Sequence, residues 1–489
     1  MVGTRDQYLE RVKRYRPKAF VGGERIEDVL TDPNTRTIVN TVAKTYDLAC
    51  DPRFEPIMTA ESPWIGDRVS RLNHVAANIE DLEKRLELTR LMTQSTGTCC
   101  GRCGGCSGLN VLAAVTYAMK QDGIGEYYGR FVDYLKFIQK QDLACHAATT
   151  SPKGDRSKSP LEQDPDLHLR VVEKRRDGIV LRGARAHQTS AIAVDEMIVY
   201  PASFAKGEEA YAVACAVPNG AKGTTYFLQF NSDDAERRAS GDVSTLGNPL
   251  YGGRQTMLVV YEDVFVPWER VFMCGEVTYT SLCLRAARRT HLYNEGPCKA
   301  GFGDLILGAS KFLAESNGLD QAPHIVEDFV KIISANETTY ASALVAARKG
   351  SEMPAGSGVF FADERFSLLS KLNANEGFYE VMKAAADVAG GLVITMPSEK
   401  ELKDPERRAL LLKYLKGRSD IPTEERMRMF RFLNHFVASP HAPNRLQCHS
   451  LASPIIWQRI TVASGRPAPS ASPFISPVKC AGMCGRVAA

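Results

Sequence analysis

Apolar positions recur at helical intervals through the first third of the chain. Ile79, Leu82 and Leu86 fall three and four apart beside and within Glu80 to Met92, a stretch rich in Leu, Glu, Lys and Arg. That spacing predicts an amphipathic helix. Val111 to Met119 and Tyr127 to Gln139 have the same character, so the first 145 residues or so read as mostly helical. Gly101, Gly104, Gly105 and Gly108 interrupt the pattern. They predict a loop or loosely helical turn where backbone comes close to something bulky.

The pattern changes at the polar, turn-forming run Thr149 to Arg156. Short β-type runs follow: Gly178 to Leu181, Ile192 to Tyr200, Tyr211 to Val217, Thr225 to Phe230 and Met257 to Val266. Gly, Pro, Asn and Asp separate them, which predicts a compact antiparallel β domain. From about Ala286 helical spacing returns in Gly303 to Glu315, Ile325 to Arg348, Phe366 to Val388 and Glu424 to Ala438. No internal repeat is visible. The predicted organisation is a helical domain over 1–148, a β domain over 149–280, a helix bundle over 281–460 and a tail over 461–489. The tail, rich in Pro, Ser and Ala from Gly465, is expected to lie extended over a surface or a neighbouring subunit.

A chain of 489 residues is long for one core, consistent with two or three domains. The net charge of +4 is too small to argue for nucleic acid or a membrane surface, and basic runs such as Lys174 to Arg176 are short enough to be solvated faces. The start, Met1 to Asp6, is charged and reads as neither a secretory signal nor an anchor. No stretch reaches the roughly 18 apolar residues of a membrane span. A cytoplasmic location is expected.

The 13 cysteines are an odd number in a chain without a secretory signal, so thiols or metal ligands are a better reading than a disulfide scaffold. Cys99, Cys100, Cys103 and Cys106 fall within eight residues. On a helix, Cys99 and Cys103 would share a face and meet one metal centre. Zinc or a cubane cluster needs further ligands, and Cys100 and Cys106 are local candidates. Free thiols at a close-packed glycine turn are the plainer alternative. His291 and Cys298, at H-x6-C spacing, form a second pair that is weak evidence alone.

The sequence resembles the 4-hydroxybutyryl-CoA dehydratase group within the 4-hydroxyphenylacetate 3-hydroxylase flavoproteins. The resemblance runs from near residue 4 to about 460. It is carried by Thr4 to Leu9, Arg16-Pro17, Gly22 to Glu24, Lys153 to Arg156, Asp263 to Trp268, Arg270 to Phe272, Ala389 to Leu392 and Met396 to Ser398. The C-x3-C and H-x6-C pairs resemble those of its iron-sulfur subgroup. The implied fold is α+β and acyl-CoA dehydrogenase-like: a helical N-terminal domain, a central antiparallel β domain and a C-terminal four-helix bundle. The implied cofactors are FAD and a [4Fe-4S] cluster on Cys99, Cys103, His291 and Cys298. The implied substrate is an acyl-CoA thioester, and the implied assembly is a homotetramer with flavin near subunit contacts. The group dehydrates 4-hydroxybutyryl-CoA to crotonyl-CoA and isomerises vinylacetyl-CoA.

By the same resemblance, Thr149, Lys153, Asp155, Arg156, His187, Gln188, Thr189, Gly390 and Gly391 contact the flavin, with Arg156 and Lys153 suited to phosphate oxygens. His291 is the expected ligand and base, and Lys299 the group that polarises substrate. Several positions depart from the group. Glu295 stands where its members carry Tyr, Gln255 or Thr256 where they carry Glu, and Gly101 where they carry Gln. Leu446 to His449 replace a late acid. Glu295 is therefore a candidate for displaced acid/base work. An aromatic monooxygenase using reduced flavin and oxygen, and a non-catalytic flavin- or metal-binding homologue, are the competing readings.

Overall fold

The computed structural model describes residues 2–202, 204–229, 247–252 and 256–439. The 461–489 tail and the Leu446 to His449 departure lie outside the described residues.

The first region is helical, as the spacing predicts. Helices α1 (Arg5–Val12), α2 (Pro33–Cys50), α3 (Ile79–Thr96), α4 (Arg102–Gln121) and α5 (Glu126–Gln141) form it. Each start has a local cause. Thr4 and Gln7 close a capping box on α1, Asp32 caps α2 ahead of Pro33, and Asn78 caps α3 through the Asp81 N–H. Besides a small hairpin of Thr59–Ser62 and Asp67–Ser70, this region holds β1 (Lys18–Val21) and β2 (Glu24–Arg25). They were not read from the sequence because neither is longer than four residues.

β3 (Cys145–Ala148) closes the helical region, and the β region contains β4 (Arg170–Lys174), β5 (Gly178–Thr189), β6 (Glu196–Val199), β7 (Val213–Pro218), β8 (Thr224–Leu228), β9 (Thr256–Pro267) and β10 (Val271–Cys274). They build two sheets, ordered β2-β1-β8-β9-β5-β4 and β10-β7-β6-β3. Strands drawn from 149–280 pair with one another antiparallel, as expected. The parallel pairs, β1 with β8 and β3 with β6, are made by strands that the helical region donates: β1 and β2 to one sheet, β3 to the other. Two predicted runs are also shorter than expected: Ala191–Ala193 and Glu209–Tyr211 are 3-10 turns that precede β6 and β7. One apolar core unites the helical region with both sheets, from Tyr8 and Val42 through Leu112 and Ile198 to Phe272.

The third region is the bundle of α6 (Thr280–Ser316), α7 (Pro323–Arg348), α8 (Glu364–Ala389) and α9 (Thr423–Val437). α6 is one helix of 37 residues with Pro297 inside it. The Gly296-Pro297 pair reads as a stop, and proline removes one ladder donor. Packing overrides that signal: Gly296 has Ser370 and the Thr339 carbonyl against it, so α6 is held between α7 and α8 where a side chain would not fit. The helical, β and four-helix order is the expected architecture.

Candidate active site

Two left-handed glycines shape the cysteine loop. Gly97 (φ 60°) ends α3 and Gly101 (φ 72°) opens α4, leaving Thr98, Cys99 and Cys100 between them. A Cβ on Gly101 would stand 2.6 Å from the Thr189 carbonyl oxygen and 2.8 Å from Ser190 Cβ. The loop is therefore seated directly on the end of β5. Cys99 and Cys103 do not share a helical face as the spacing suggested. Cys99 lies in the loop and Cys103 in the first turn of α4. They still meet: a hydrogen bond with Cys99, burial, and the nearby Cys100 and Cys298 together hold the Cys103 thiol well above its ordinary value. Cys99, Cys103 and Cys298 are each half-buried.

The other two cysteines of the cluster turn away. Cys100 is buried, with its sulfur 3.6 Å from the sulfur of Met92, and burial beside Cys99 pushes its thiol up to about 12. The Cys106 thiol points to the carbonyls of Arg71 (3.5 Å) and His74 (3.9 Å). Among the described residues no three His, Cys, Asp or Glu side chains converge as they would on a single metal ion.

α6 supplies the second half of the site. His291, Glu295 and Lys299 are four apart and follow one face, with Cys298 beside them. His291 Nε2 lies 3.5 Å from Glu295 Oε1. The other oxygen of Glu295 pairs with Lys371 of α8, and both partners are buried. Lys299 is also buried. Its ammonium lies over the rings of Phe378 (5.0 Å) and Phe302 (5.4 Å).

At the end of β5 the backbone is strained at non-glycine residues: His187 (φ 62°) and Ser190 (φ 63°) are both left-handed. Between them Gln188 holds His146 Nε2 at 2.9 Å, and the other nitrogen of that ring is 3.5 Å from the Gly101 carbonyl. Thr189 Oγ1 is 3.3 Å from Thr256 Oγ1 of β9. The predicted turn His187-Gln188-Thr189 is thus in contact with the cysteine loop.

The Thr149 to Arg156 loop is anchored by Arg185, whose Nη1 donates to the Thr149 carbonyl (3.2 Å) and to Ser151 Oγ (2.7 Å). Asp155 is spent on its own turn, accepting from the Ser157 N–H and hydroxyl. Burial, then Arg156, lowers the Lys153 ammonium, and among the described residues neither cation forms an ion pair. Gly390 and Gly391 are not brought to the site. They are exposed at the far end of α8, where Val388 packs with Ala314 and Ile325. At 1.5 Å per residue that is about 28 Å along the helix from Lys371.

Sequence reasoning missed Lys371 and His146. The signal for Lys371 was its place inside an apolar stripe, flanked by the buried Leu368 and Leu372. His146 had no local signal, because what it touches is 42 residues away.

Comparison with known proteins agrees with this picture. Residues 4–273 match the family model described as 4-hydroxyphenylacetate 3-hydroxylase N terminal, and residues 283–463 match its C terminal counterpart. The chain is 35% identical over 475 residues to 4-hydroxybutyryl-CoA dehydratase/vinylacetyl-CoA-Δ-isomerase of Clostridium aminobutyricum, covering 95% of this chain and 96% of that one. It is 31% identical over 441 residues to the 4-hydroxyphenylacetate 3-monooxygenase oxygenase component of Thermus thermophilus, covering 88% and 87%. Among solved structures, an oxygen-tolerant archaeal 4-hydroxybutyryl-CoA dehydratase from N. maritimus superposes with a TM-score of 0.90 at 34% identity, covering 95% and 92%. The oxygenase component of 4-hydroxyphenylacetate 3-monooxygenase complexed with FAD superposes with a TM-score of 0.81 at 26% identity, covering 94% and 95%.

Proposed function

The chain belongs to the 4-hydroxyphenylacetate 3-hydroxylase family, and from that premise we propose that it is an FAD- and [4Fe-4S]-dependent lyase and isomerase of acyl-CoA thioesters. Its substrate class is a hydroxyacyl-CoA such as 4-hydroxybutyryl-CoA, or vinylacetyl-CoA. The observation that supports the reading is that Cys99, on a loop seated against Thr189, hydrogen-bonds Cys103 of α4, with Cys298 of α6, far away in sequence, near enough to act on the same thiol.

The donor set fits the cluster. Three thiols and an imidazole are soft and borderline ligands, suited to iron-sulfur or zinc centres and unlike the oxygen shells of hard cations. Zinc would need all four donors to converge on one ion. A cubane presents a separate iron to each donor, so donors that share a region without converging on one point suit it. Cys99, Cys103, Cys298 and His291 would hold it, and Cys100 and Cys106, turned into the core, would not. Thr149, Lys153, Arg156, His187, Gln188 and Thr189 would hold the flavin, with the two unpaired cations suited to its pyrophosphate. Gly390 and Gly391, remote within their own chain, would reach the flavin of a neighbouring subunit in a homotetramer. When bound, the flavin and cluster supply the one-electron chemistry and a Lewis-acidic iron.

The chain's own residues handle protons and charge. Glu295, fixed by Lys371, faces the His291 imidazole and offers a carboxylate for proton transfer through that ring. It stands where the dehydratase group carries Tyr, so it takes over that position's work. Lys299, desolvated against two aromatic rings, offers its ammonium to the thioester carbonyl or the leaving hydroxyl. Burial around Glu295 and Lys371 keeps water from competing for the reacting groups. Among the described residues no helix is long and apolar enough to cross a membrane.

The test is the iron, acid-labile sulfide and flavin content of protein prepared without oxygen, followed by assay with 4-hydroxybutyryl-CoA and vinylacetyl-CoA. The expected result is about four irons and four sulfides per chain beside one flavin, with crotonyl-CoA formed. Flavin without iron, and hydroxylation of a phenol on adding oxygen, would replace this reading with the monooxygenase.

A further inference from the structure

Arg85 lies in the middle of α3 and is 2% exposed, yet none of its three guanidinium nitrogens makes a well-formed hydrogen bond, and the nearby Tyr293 hydroxyl can take up only part of its five donors. Native interiors rarely leave even one buried donor unmet, and a buried unpaired charge is costlier still. The local charges do not balance it. Asp81, one turn earlier on the same helix, is the carboxylate that Arg85 feels most, and both of its oxygens are taken. Oδ1 accepts from Arg71 Nη1 (2.7 Å), and Oδ2 accepts from the Ala77 N–H (2.9 Å) and contacts His74 Nε2 (2.9 Å). Two buried arginines thus stand against one carboxylate, and among the described residues Arg85 forms no ion pair.

Two other groups border Arg85. The Cys106 sulfur is aimed at the carbonyl oxygens of Arg71 and His74. An S–H is welcome there and a thiolate would be repelled, so Cys106 does not serve as the counter-charge. The Tyr293 hydroxyl of α6 is fully buried and faces the Arg85 guanidinium closely enough to accept from it, which leaves the hydroxyl's own hydrogen without an acceptor. The walls beside Tyr293 are apolar: Ala76, Leu82, Leu86, Ala343, Ala346 and Ala347. What faces inward is a guanidinium and a hydroxyl, both able to donate.

We propose that Arg85 and Tyr293 form a buried binding site for a small monovalent anion of the halide class, enclosed by α3, α4 and α6. A halide accepts several hydrogen bonds, donates none and cancels one charge. Water satisfies neither of the last two conditions in a place lined by donors. The site has a structural consequence. Cys99 follows α3, Cys103 opens α4, and His291 and Cys298 lie on α6, so one anion ties together the three helices that present the candidate cluster ligands. This inference rests on Arg85 and its surroundings and stands whether or not a cluster is bound.

The direct test is crystallisation of the full chain in sodium bromide with diffraction data at the bromine edge. An anomalous peak within hydrogen-bond distance of the Arg85 guanidinium and Tyr293 hydroxyl is expected. Ordered water in that position, with no bromide, would overturn the proposal. In solution, sodium chloride or bromide replacing sodium gluconate at fixed ionic strength should raise the melting temperature saturably by a few degrees. Arg85→Met should abolish the halide dependence, and its persistence would also overturn the proposal. If Arg85→Met does not fold, Tyr293→Phe decides: it should move the midpoint of the halide response to higher concentration, and an unmoved midpoint counts against the site.

Discussion

The four-stranded sheet and the seam between α6 and α8 are both fully buried, and they are built from opposite materials. Along β3, β6, β7 and β10 the interior is Ala148, Met197, Ile198, Val199, Val213, Ala214, Ala216, Val271, Phe272 and Met273, all nearly inaccessible. This is the near-continuous apolar run of strands covered on both faces, interrupted by His146 of β3 and by Glu196 of β6 paired with Arg270, and it is stabilised mainly by area. The seam buries Glu295, Lys299 and Lys371 in the same degree of enclosure. Ion pairs buried in this way are a poor means of stabilisation, since an apolar replacement of the same shape is often neutral or better. Such groups therefore mark the seam as the region shaped by chemistry and the sheet as the region shaped by folding.

The sharpest test of that contrast is Lys371→Met. It leaves the Glu295 carboxylate buried with its lysine gone, and should lower unfolding free energy by about 3–5 kcal/mol in denaturant titrations. Glu295→Leu with Lys371→Met together should recover most of the loss while leaving turnover abolished. A double variant as unstable as the single one would mean that the pair is a structural element like the sheet, and the comparison would fail.

Legibility from sequence divides along the same line. The sheet and the flanking helices were readable in type, because Ile198 or Leu86 follows the period of its own element and burial follows from that period. What was not legible there was the addition of β1, β2 and β3 from the helical region, since that pairing is set by distant chain. The continuity of α6 through Gly296-Pro297 was unreadable because local propensity argues against it and only packing against Ser370 and Thr339 reverses it. In the site, the C-x3-C spacing suggested a shared helical face, whereas Cys99 lies in the loop and Cys103 in the first turn of α4. The partner of Glu295 was missed: the apolar stripe of Leu368 and Leu372 signals that Lys371 is buried, but only the packing of α6 against α8 says what it meets. The flavin expectations for Gly390 and Gly391 followed from resemblance, and a single chain does not bring them near the others.

A smaller effect should come from the joint between the two regions. Gly101→Ala places a methyl 2.6 Å from the Thr189 carbonyl at a left-handed backbone position, and should cost about 1–3 kcal/mol. Its more telling readout is local. Iron loading of anaerobically prepared protein should fall further than global stability, since the cysteine loop is lifted off β5 while the sheet beneath is intact. An equal fall in both would show that the loop and the sheet unfold as one unit.

The smallest effect belongs to the sheet itself. Ile198→Val removes one buried methylene from β6, next to Gly108 of α4, and should cost about 1 kcal/mol. Nothing polar depends on that atom, so kcat and iron content should be unchanged. Ile198 and Lys371 lie in separate apolar clusters or none in common, one in the core shared by the helical and β regions, the other in the bundle. Their effects should therefore add to within about 0.5 kcal/mol in the double variant. Additivity would mean that the apolar sheet carries the seam without sensing its charges. A larger coupling would mean that strain from the buried ions reaches the sheet, and that the division between a region for folding and a region for chemistry is less clean than their compositions suggest.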